Sequence, residues 1–169
     1  VYPVNALGIT KALMEKMVEA SARNLGEGET VLTLVRYGNV LFSRGSVIPL
    51  FMKQIKENNA ISVTEPEMTR FLLPLKVAID LVSFALEKGR QGDIFVRKAP
   101  SCLIGDLAQA VKNIFRSNSE IKTIGMRHGE KMYETLASKG ELLRSEDMGS
   151  YLRINIDDRD FNYNKYLNE

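Results

Sequence analysis

Apolar residues recur at the three- to four-residue spacing of an amphipathic helix in four stretches of the chain. The first stretch follows Asn5, a residue type favoured at helix N-caps, and its apolar positions are Ala6, Ile9, Leu13, Met17 and Ala20. This spacing predicts a helix over residues 5–24. The same pattern predicts three further helices, over residues 47–58, 73–87 and 104–115.

Short runs rich in β-branched and aliphatic residues lie between these helices. The run at residues 30–37 is nearly continuous, as in a strand buried on both faces of a parallel sheet. Further strands are predicted over residues 61–64, 93–97 and 121–126, and short helices over 131–137 and 140–147. This alternation predicts an α/β fold with largely parallel pairing. The polar stretch at residues 157–169 has no clear period, and we expect a surface strap or partial disorder.

Composition excludes several classes of protein. The 169 residues suffice for one domain, and 23 basic against 21 acidic residues give a formal net charge of +2. So small a charge is not the basic field that nucleic-acid binding needs. With Cys102 the single cysteine and His128 the single histidine, we expect no intrachain disulfide and no metal site. No apolar stretch approaches the ~20 residues that span a bilayer, so we expect a cytoplasmic protein without membrane contact.

The amino-terminal residues suggest the interior of a longer protein. The start, Val1-Tyr2-Pro3-Val4, has no methionine and leads straight into the first predicted helix. Neither the G-x-G-x-x-G loop of dinucleotide-binding folds nor the G-x-x-x-x-G-K-[ST] phosphate loop is present. We therefore expect a carboxyl-terminal part that lacks the cofactor fingerprint of a whole dinucleotide-dependent enzyme.

Three loops carry arginine at the expected carboxyl ends of strands, where open α/β sheets bind ligands. In the first loop, Arg44 stands beside a helix that begins near Ser46. The unpaired backbone N–H groups of that helix start could hold a phosphate, with the guanidinium as a second donor. The alternative is an ordinary glycine turn with a solvated arginine.

The other two loops contain Arg70 and Arg127. Arg70 precedes a predicted helix and has apolar neighbours, so it either faces a ligand or snorkels over the edge of the core. Arg127 could clamp a phosphate while Glu130 accepts hydrogen bonds from a sugar diol; alternatively the loop is only solvated, with His128 in a structural role. Three such loops at one sheet edge favour a ligand that carries a diphosphate.

Five segments together resemble a known family: NALGITK at 5–11, RYGNV at 36–40, SRGSVIP at 43–49, MTRF at 68–71 and RHGEK at 127–131. They resemble the bacterial inverting UDP-N-acetylglucosamine 4,6-dehydratases of capsule and O-antigen synthesis, in the extended short-chain dehydrogenase/reductase superfamily. The resemblance implies the carboxyl-terminal part of an NAD(P)-binding, Rossmann-like, doubly wound sheet plus a small substrate-binding subdomain. Residues 1–58 would form the end of that sheet and the active-site helix, and residues 59–169 mainly the subdomain.

The resemblance also implies roles for residues of the first helix and the first strand. Most of the superfamily has a Tyr-x-x-x-Lys pair on this helix; Lys11 is in place, whereas Leu7 occupies the tyrosine position. The acid/base pair is then expected to be an Asp-Lys pair upstream of Val1. Lys11 would hold the nicotinamide ribose of NAD(P), and Asn39 would donate to the substrate. The residues expected along the cofactor and the sugar are Tyr37, Gly38, Asn39 and Val40.

By the same resemblance, the UDP-sugar is held by polar residues of all three loops and by two valines that flank its base. Its pyrophosphate would contact Arg70 and Arg127, and its uridine ribose would contact Glu130. The remaining expected substrate-binding residues are Arg44, Ser46, Val47 and Val63. Members of the family often form homo-oligomers, and we expect one here.

The expected function is therefore a lyase of surface polysaccharide biosynthesis, an NAD(P)-dependent UDP-N-acetylglucosamine 4,6-dehydratase with inversion at C5, inactive as this fragment alone. One alternative is a UDP-sugar 4-epimerase, against which Leu7 speaks, because an aliphatic side chain cannot replace the phenol that serves as the base. Another alternative is a non-catalytic UDP-sugar-binding module.

Overall fold

The computed structural model describes residues 1–157, so residues 158–169 of the predicted strap lie outside it. Helices and strands alternate within the described part, which confirms the predicted α/β class. The helices are α1 (Ala6–Asn24), α2 (Val47–Lys56), α3 (Leu75–Lys88), α4 (Ile104–Ile114) and α5 (Lys139–Leu143). The strands are β1 (Leu34–Arg36), β2 (Asn39–Val40), β3 (Ile61–Val63), β4 (Thr69–Leu73), β5 (Ile94–Arg97), β6 (Ser101–Leu103), β7 (Ile121–Thr123), β8 (Ser145–Met148) and β9 (Tyr151–Ile154).

The first helix forms where its apolar spacing predicts it. The side chain of Asn5 caps it by accepting a hydrogen bond from the backbone N–H of Gly8 at 2.8 Å. The apolar stripe of the helix nevertheless lies on the outside, where Leu13 and Met17 are exposed. The side that faces the rest of the chain buries Glu19 and Ala22 instead. An outward apolar stripe lacks the covering surface that usually stabilises such a helix.

The strands form three sheets within residues 1–157, in the orders β1-β5-β9-β8, β2-β4-β6 and β3-β7. The pairs β1–β5 and β3–β7 are parallel, as predicted. The pair β2–β4 is also parallel, although neither of its strands is predicted from the sequence. The pairs β4–β6, β5–β9 and β8–β9 are antiparallel, so the prediction of largely parallel pairing is wrong for this half of the pairs. Each antiparallel pair contains β6, β8 or β9, which the sequence pattern does not predict.

Several element boundaries differ from the predicted ones. The strand predicted over 30–37 is only Leu34–Arg36, and it is half-buried because it forms one edge of its sheet. The helix predicted over 131–137 is wrong, since residues 124–138 contain neither helix nor strand; we call them the crossing segment. The helix predicted over 140–147 ends at Leu143 and is followed by β8.

The hydrophobic core of the described residues forms three clusters. One cluster joins α2, β3 and α4, and its most buried large side chains are Phe51, Ile61 and Met68. A second packs α3 against the sheet of β1, β5, β8 and β9, around Leu81 and Phe95. A third joins Ile94, Val96 and Ile154 of that sheet to Leu136 and Ala137 of the crossing segment. The predicted division of the chain at residue 58 stays a prediction.

No helix among residues 1–157 combines the length and the apolar character needed to cross a membrane.

Candidate functional site

Helix α1 presents Leu7 and Lys11 one helical turn apart. The Leu7 side chain is 68% exposed, and Lys11 is exposed as well. Within residues 1–157 the Lys11 ammonium forms no hydrogen bond or ion pair. Helix α1 therefore offers an uncommitted cation, but a hydrocarbon occupies the position at which most of the resembled superfamily has a tyrosine.

An ion cluster fixes α1 to the end of β1. Arg36 donates from Nε and Nη2 to both carboxylate oxygens of Glu15, at 2.9 and 2.6 Å. Its Nη2 also donates to Glu141 at 2.9 Å, and its Nη1 donates to the backbone carbonyl of Leu136 at 3.2 Å. The Arg36 side chain is 10% exposed, so little of this cluster is screened by water. The cluster brings together α1, β1 and α5.

The carboxylate of Glu141 has a second function in the same cluster. It accepts hydrogen bonds from the backbone N–H and the hydroxyl of Ser138, at 2.7 and 2.8 Å, and so completes the capping box of α5. Burial alone would raise the pKa of Glu141, but the hydrogen bonds from Arg36 and Ser138 lower it to about 2. Burial alone would lower the pKa of Arg36, but its two carboxylate partners raise it above the ordinary value. Arg36 and Glu141 are therefore both charged at neutral pH.

The candidate cofactor segment, Tyr37 to Val40, directly follows Arg36. Tyr37 and Asn39 are exposed, and Asn39 pairs with Leu72 in the parallel β2–β4 ladder. Gly38 lies against β4 so closely that a Cβ there would overlap the carbonyl oxygen of Phe71. Glu15 lies one turn after Lys11 and bonds to Arg36, which directly precedes Tyr37. The ion cluster therefore brings Lys11 and Tyr37, two of the expected cofactor residues, to the same region.

Arg70 lies inside β4 rather than in a loop ahead of a helix, which corrects its predicted setting. The guanidinium Nη1 donates to the backbone carbonyls of Thr69 and Lys131, at 2.8 and 2.9 Å. The side chain is half-buried. Arg70 thus holds the crossing segment against β4, and its contact with a pyrophosphate stays a prediction.

The loop at residues 127–131 belongs to the crossing segment and lies beside the start of α1. The side-chain amide of Asn5 donates to the carbonyl of Gly129 at 3.0 Å. Glu130 accepts a hydrogen bond from the backbone N–H of Arg127 at 3.0 Å, which closes a tight turn. The Arg127 side chain is exposed and forms no hydrogen bond or ion pair within residues 1–157. This loop therefore presents a second uncommitted cation near α1.

The remaining expected substrate residues lie around the start of α2. Arg44 is exposed, and Gly45 adopts a φ of +75°, which a turn of this kind requires. Ser46 is the N-cap of α2, but its hydroxyl is buried without a hydrogen-bond partner among the described residues. Val47 packs on the core cluster of α2, β3 and α4, and Val63 is only 1% exposed within that cluster. Their contact with a base stays a prediction.

Sequence reasoning missed the two acidic partners of Arg36. A signal was present for Glu141, because Ser138 and Glu141 have the S-x-x-E spacing of a capping box. Glu15 stands four residues after Lys11, on the same side of α1, but nothing local indicates that it reaches β1. Among residues 1–157 no group of three or more His, Cys, Asp or Glu side chains could hold a metal ion.

Three comparisons bear on the identity of the chain. A curated protein of Rickettsia felis named UDP-glucose 4-epimerase is 56% identical over all 169 residues, which make up 50% of that protein. The X-ray structure of Pen from Bacillus thuringiensis matches 91% of this chain and 48% of that chain, with 38% identity and a TM-score of 0.86. A UDP-glucuronic acid 4-epimerase from Bacillus cereus, solved with UDP-glucuronic acid and NAD, matches 78% of this chain and 43% of that chain, with 19% identity and a TM-score of 0.67.

These comparisons test the predicted fold and the predicted reaction. The fold is that of the carboxyl-terminal part of Rossmann-like epimerase structures, as predicted. The chain spans about half the length of the curated relatives it matches. The prediction of a lyase, a 4,6-dehydratase, is wrong, because the relatives are named 4-epimerases, which are isomerases.

A family described as "Polysaccharide biosynthesis protein" matches residues 1–156. The chain belongs to this polysaccharide biosynthesis protein family.

Proposed function

We propose that this chain forms the nucleotide-sugar-binding half of a UDP-sugar 4-epimerase of polysaccharide biosynthesis. The observation that carries the proposal is the 56% identity, over the full 169 residues, to a protein named UDP-glucose 4-epimerase. The likeness in fold to an epimerase solved with a UDP-sugar and NAD supports it. We further propose that the complete protein is a cytoplasmic homo-oligomer that binds neither nucleic acid nor membrane.

The residues at the start of α1 and the end of β1 fit a cofactor with ribose hydroxyls and phosphates. Lys11 and Asn39 are exposed, and neither side chain has a partner within residues 1–157. In the proposed enzyme Lys11 donates to the nicotinamide ribose, while Tyr37 and the backbone of Gly38 and Val40 lie along the ring. NAD(P), held mainly by residues outside this chain, supplies reversible oxidation at the sugar carbon that changes configuration. Asn39 orients that sugar by a hydrogen bond.

The substrate diphosphate is proposed to lie between the 127–131 loop and the start of α2. Arg127 and Arg44 are exposed guanidinium groups without partners among residues 1–157, and such groups bind phosphate oxygens in a bidentate manner. In the proposal Arg70 and Ser46 add polar contacts, Glu130 accepts hydrogen bonds from the ribose diol, and Val47 and Val63 flank the base. These are the substrate-binding residues of the proposal.

Leu7 imposes a condition on the mechanism. Its side chain cannot give or take a proton, although it is exposed at the position where most of the resembled superfamily has a tyrosine. We therefore propose that the acid/base pair is contributed from outside residues 1–169, in agreement with the Asp-Lys pair expected ahead of Val1. The chain itself then binds and orients, and performs no proton transfer.

The test is the conversion of UDP-glucose to UDP-galactose by the complete protein, followed by NMR of the sugar, with UDP-N-acetylglucosamine assayed in parallel. Interconversion without loss of water is the expected result. The variant Arg127→Met should raise KM about tenfold, as expected for the loss of a charge-assisted phosphate contact. Arg116→Met is the matched control, since Arg116 is an exposed arginine after α4. Binding of UDP without interconversion would overturn the epimerase and favour a non-catalytic UDP-sugar-binding module.

A further inference from the structure

The crossing segment, residues 124–138, keeps a defined path although it has no regular secondary structure. Its backbone carbonyls are bonded one after another by donors from other elements. Gly129 accepts from Asn5, Lys131 from Arg70, and Leu136 from Arg36. The carbonyl of Met132 accepts from the backbone N–H of Thr69 at 2.9 Å. Since an irregular segment is ordered by such external partners, side chains of α1, β1 and β4 determine where the 127–131 loop lies.

Arg36 occupies the point where this segment meets the cofactor helix. Its bidentate bond to Glu15 fixes α1, and its bonds to Glu141 and to the Leu136 carbonyl fix the far end of the crossing segment. A planar guanidinium with four bonds has a single orientation, because each bond constrains the same rigid plane. Each carboxylate holds a different element against this plane: Glu15 holds α1, and Glu141 holds α5.

We infer that Arg36 is a positioning residue that sets the nucleotide-binding loop and the cofactor helix in register, through separate arms that end at Glu141 and Glu15. The inference rests on the proposed function, because it assigns UDP to the loop at 127–131 and the cofactor to Lys11. Glu15 and Glu141 are not among the expected cofactor-binding or substrate-binding residues, and neither carboxylate is expected to contact a ligand.

The two arms lead to different groups. Glu15 lies one turn from Lys11 on α1, so loss of the Glu15 charge first loosens the part of α1 that is proposed to bind the cofactor. Glu141 anchors α5 and, through Arg36, the Leu136 carbonyl, so loss of its charge loosens the segment that carries Arg127. If the cluster had a merely structural role, loss of either carboxylate would affect the affinities for the two ligands alike.

The experiment measures the affinities of the complete protein for UDP and for NAD⁺ by calorimetric titration. Glu141→Gln should weaken UDP binding about fivefold and leave NAD⁺ binding within about twofold, the range of indirect coupling through packed networks. Glu15→Gln should do the reverse, and Arg36→Lys, which lacks the planar fork, should weaken both. Asp80→Asn, which removes an exposed ion pair with Lys76 at 3.0 Å, should change neither affinity.

Ser138→Ala provides a milder perturbation of the same arm as Glu141. This variant removes a hydroxyl that bonds to Glu141 at 2.8 Å but leaves every charge in place. It therefore tests the same arm even if Glu141→Gln fails to fold. A smaller loss of UDP affinity, with unchanged NAD⁺ affinity, is expected. Equal effects of the two glutamine variants on both ligands, or no effect of either, would overturn the inference alone. A wild-type protein that binds neither ligand would overturn the proposed function and the inference with it.

Discussion

The side-chain amide of Asn5 donates to the backbone carbonyl of Gly129 at 3.0 Å, across 124 residues of sequence. The oxygen of the same amide caps α1 through the N–H of Gly8. Gly129 has a φ of +81° and lies so close that a Cβ on it would be 3.2 Å from the Cβ of Asn5. The Asn5 side chain thus caps α1, the proposed cofactor helix, and also hydrogen-bonds to the loop that we propose binds the nucleotide.

Two variants separate these two functions of Asn5. Asn5→Asp retains an oxygen for the cap but loses the donor to Gly129, so we expect weaker UDP binding with little loss of stability. Asn5→Ala loses both, and should lower the free energy of unfolding by about 1 kcal/mol, as is usual for a lost N-cap. Denaturant unfolding and UDP titration of both variants check this. Equal stability of the two variants would show that the oxygen of Asn5 does not cap the helix.

The acid stability of the protein should depend on Glu141. Its folded-state pKa is about 2, below the ordinary value of 4.5, so its charge contributes stability that is fully present above about pH 4.5. That contribution is lost as the pH falls from about 4.5 through about 2, because the unfolded chain then binds the proton more tightly. Unfolding followed across this range should show a steep loss, which Glu141→Gln flattens.

The control for this acid transition is Glu57→Gln. Glu57 is an exposed carboxylate whose ion pair with Lys53 spans 3.8 Å, and such surface pairs contribute little. The acid transition of this variant should therefore match that of the wild type. An unchanged transition in Glu141→Gln would mean that the carboxyl is not held by Arg36 in solution.

The packing of Gly38 on β4 predicts a third result. A Cβ at this position would overlap the carbonyl oxygen of Phe71, which is backbone and cannot move aside. Gly38→Ala should therefore cost about 2 kcal/mol, within the range for overpacking. Gly140→Ala, where a Cβ would meet nothing within 4 Å, should be neutral or slightly stabilising. Chemical denaturation compares the two, and equal costs would show that β2 does not lie against β4.

Local signals predicted the helices better than the pairing of the strands. The spacing of Ile9, Leu13 and Met17 locates α1, but it does not show that this stripe is exposed, because that depends on which surfaces cover the helix. Strand β8, with the sequence Ser-Glu-Asp-Met, has little intrinsic strand preference and is held by its ladder with β9. Stabilisation of this kind comes from tertiary contacts, so it cannot be predicted from a short window of sequence.

The candidate site shows the same limit. Arg44, Arg70 and Arg127 are singled out together because of their place after predicted strands, yet Arg70 is bonded to two backbone carbonyls, whereas Arg44 and Arg127 lack side-chain partners within residues 1–157. Arg36 finds its acidic partners 21 and 105 residues away, and no local pattern encodes contacts of that separation. The sequence therefore points to the three arginine-bearing loops, while the division of their arginines into exposed and bonded groups required the tertiary contacts.

The position of Leu7 allows a direct test of where proton transfer occurs. Leu7→Tyr and Leu7→Phe differ by one hydroxyl, and because Leu7 is 68% exposed both should change stability by less than about 0.5 kcal/mol. If the acid/base pair lies outside residues 1–169, as we propose, the phenol has no proton to transfer and the two variants should have equal kcat values. The measurement is the pH profile of kcat for UDP-glucose in the complete protein. A higher kcat for Leu7→Tyr, with a new alkaline limb near the tyrosine pKa of about 10, would place the reacting sugar beside this turn of α1 and contradict an external base.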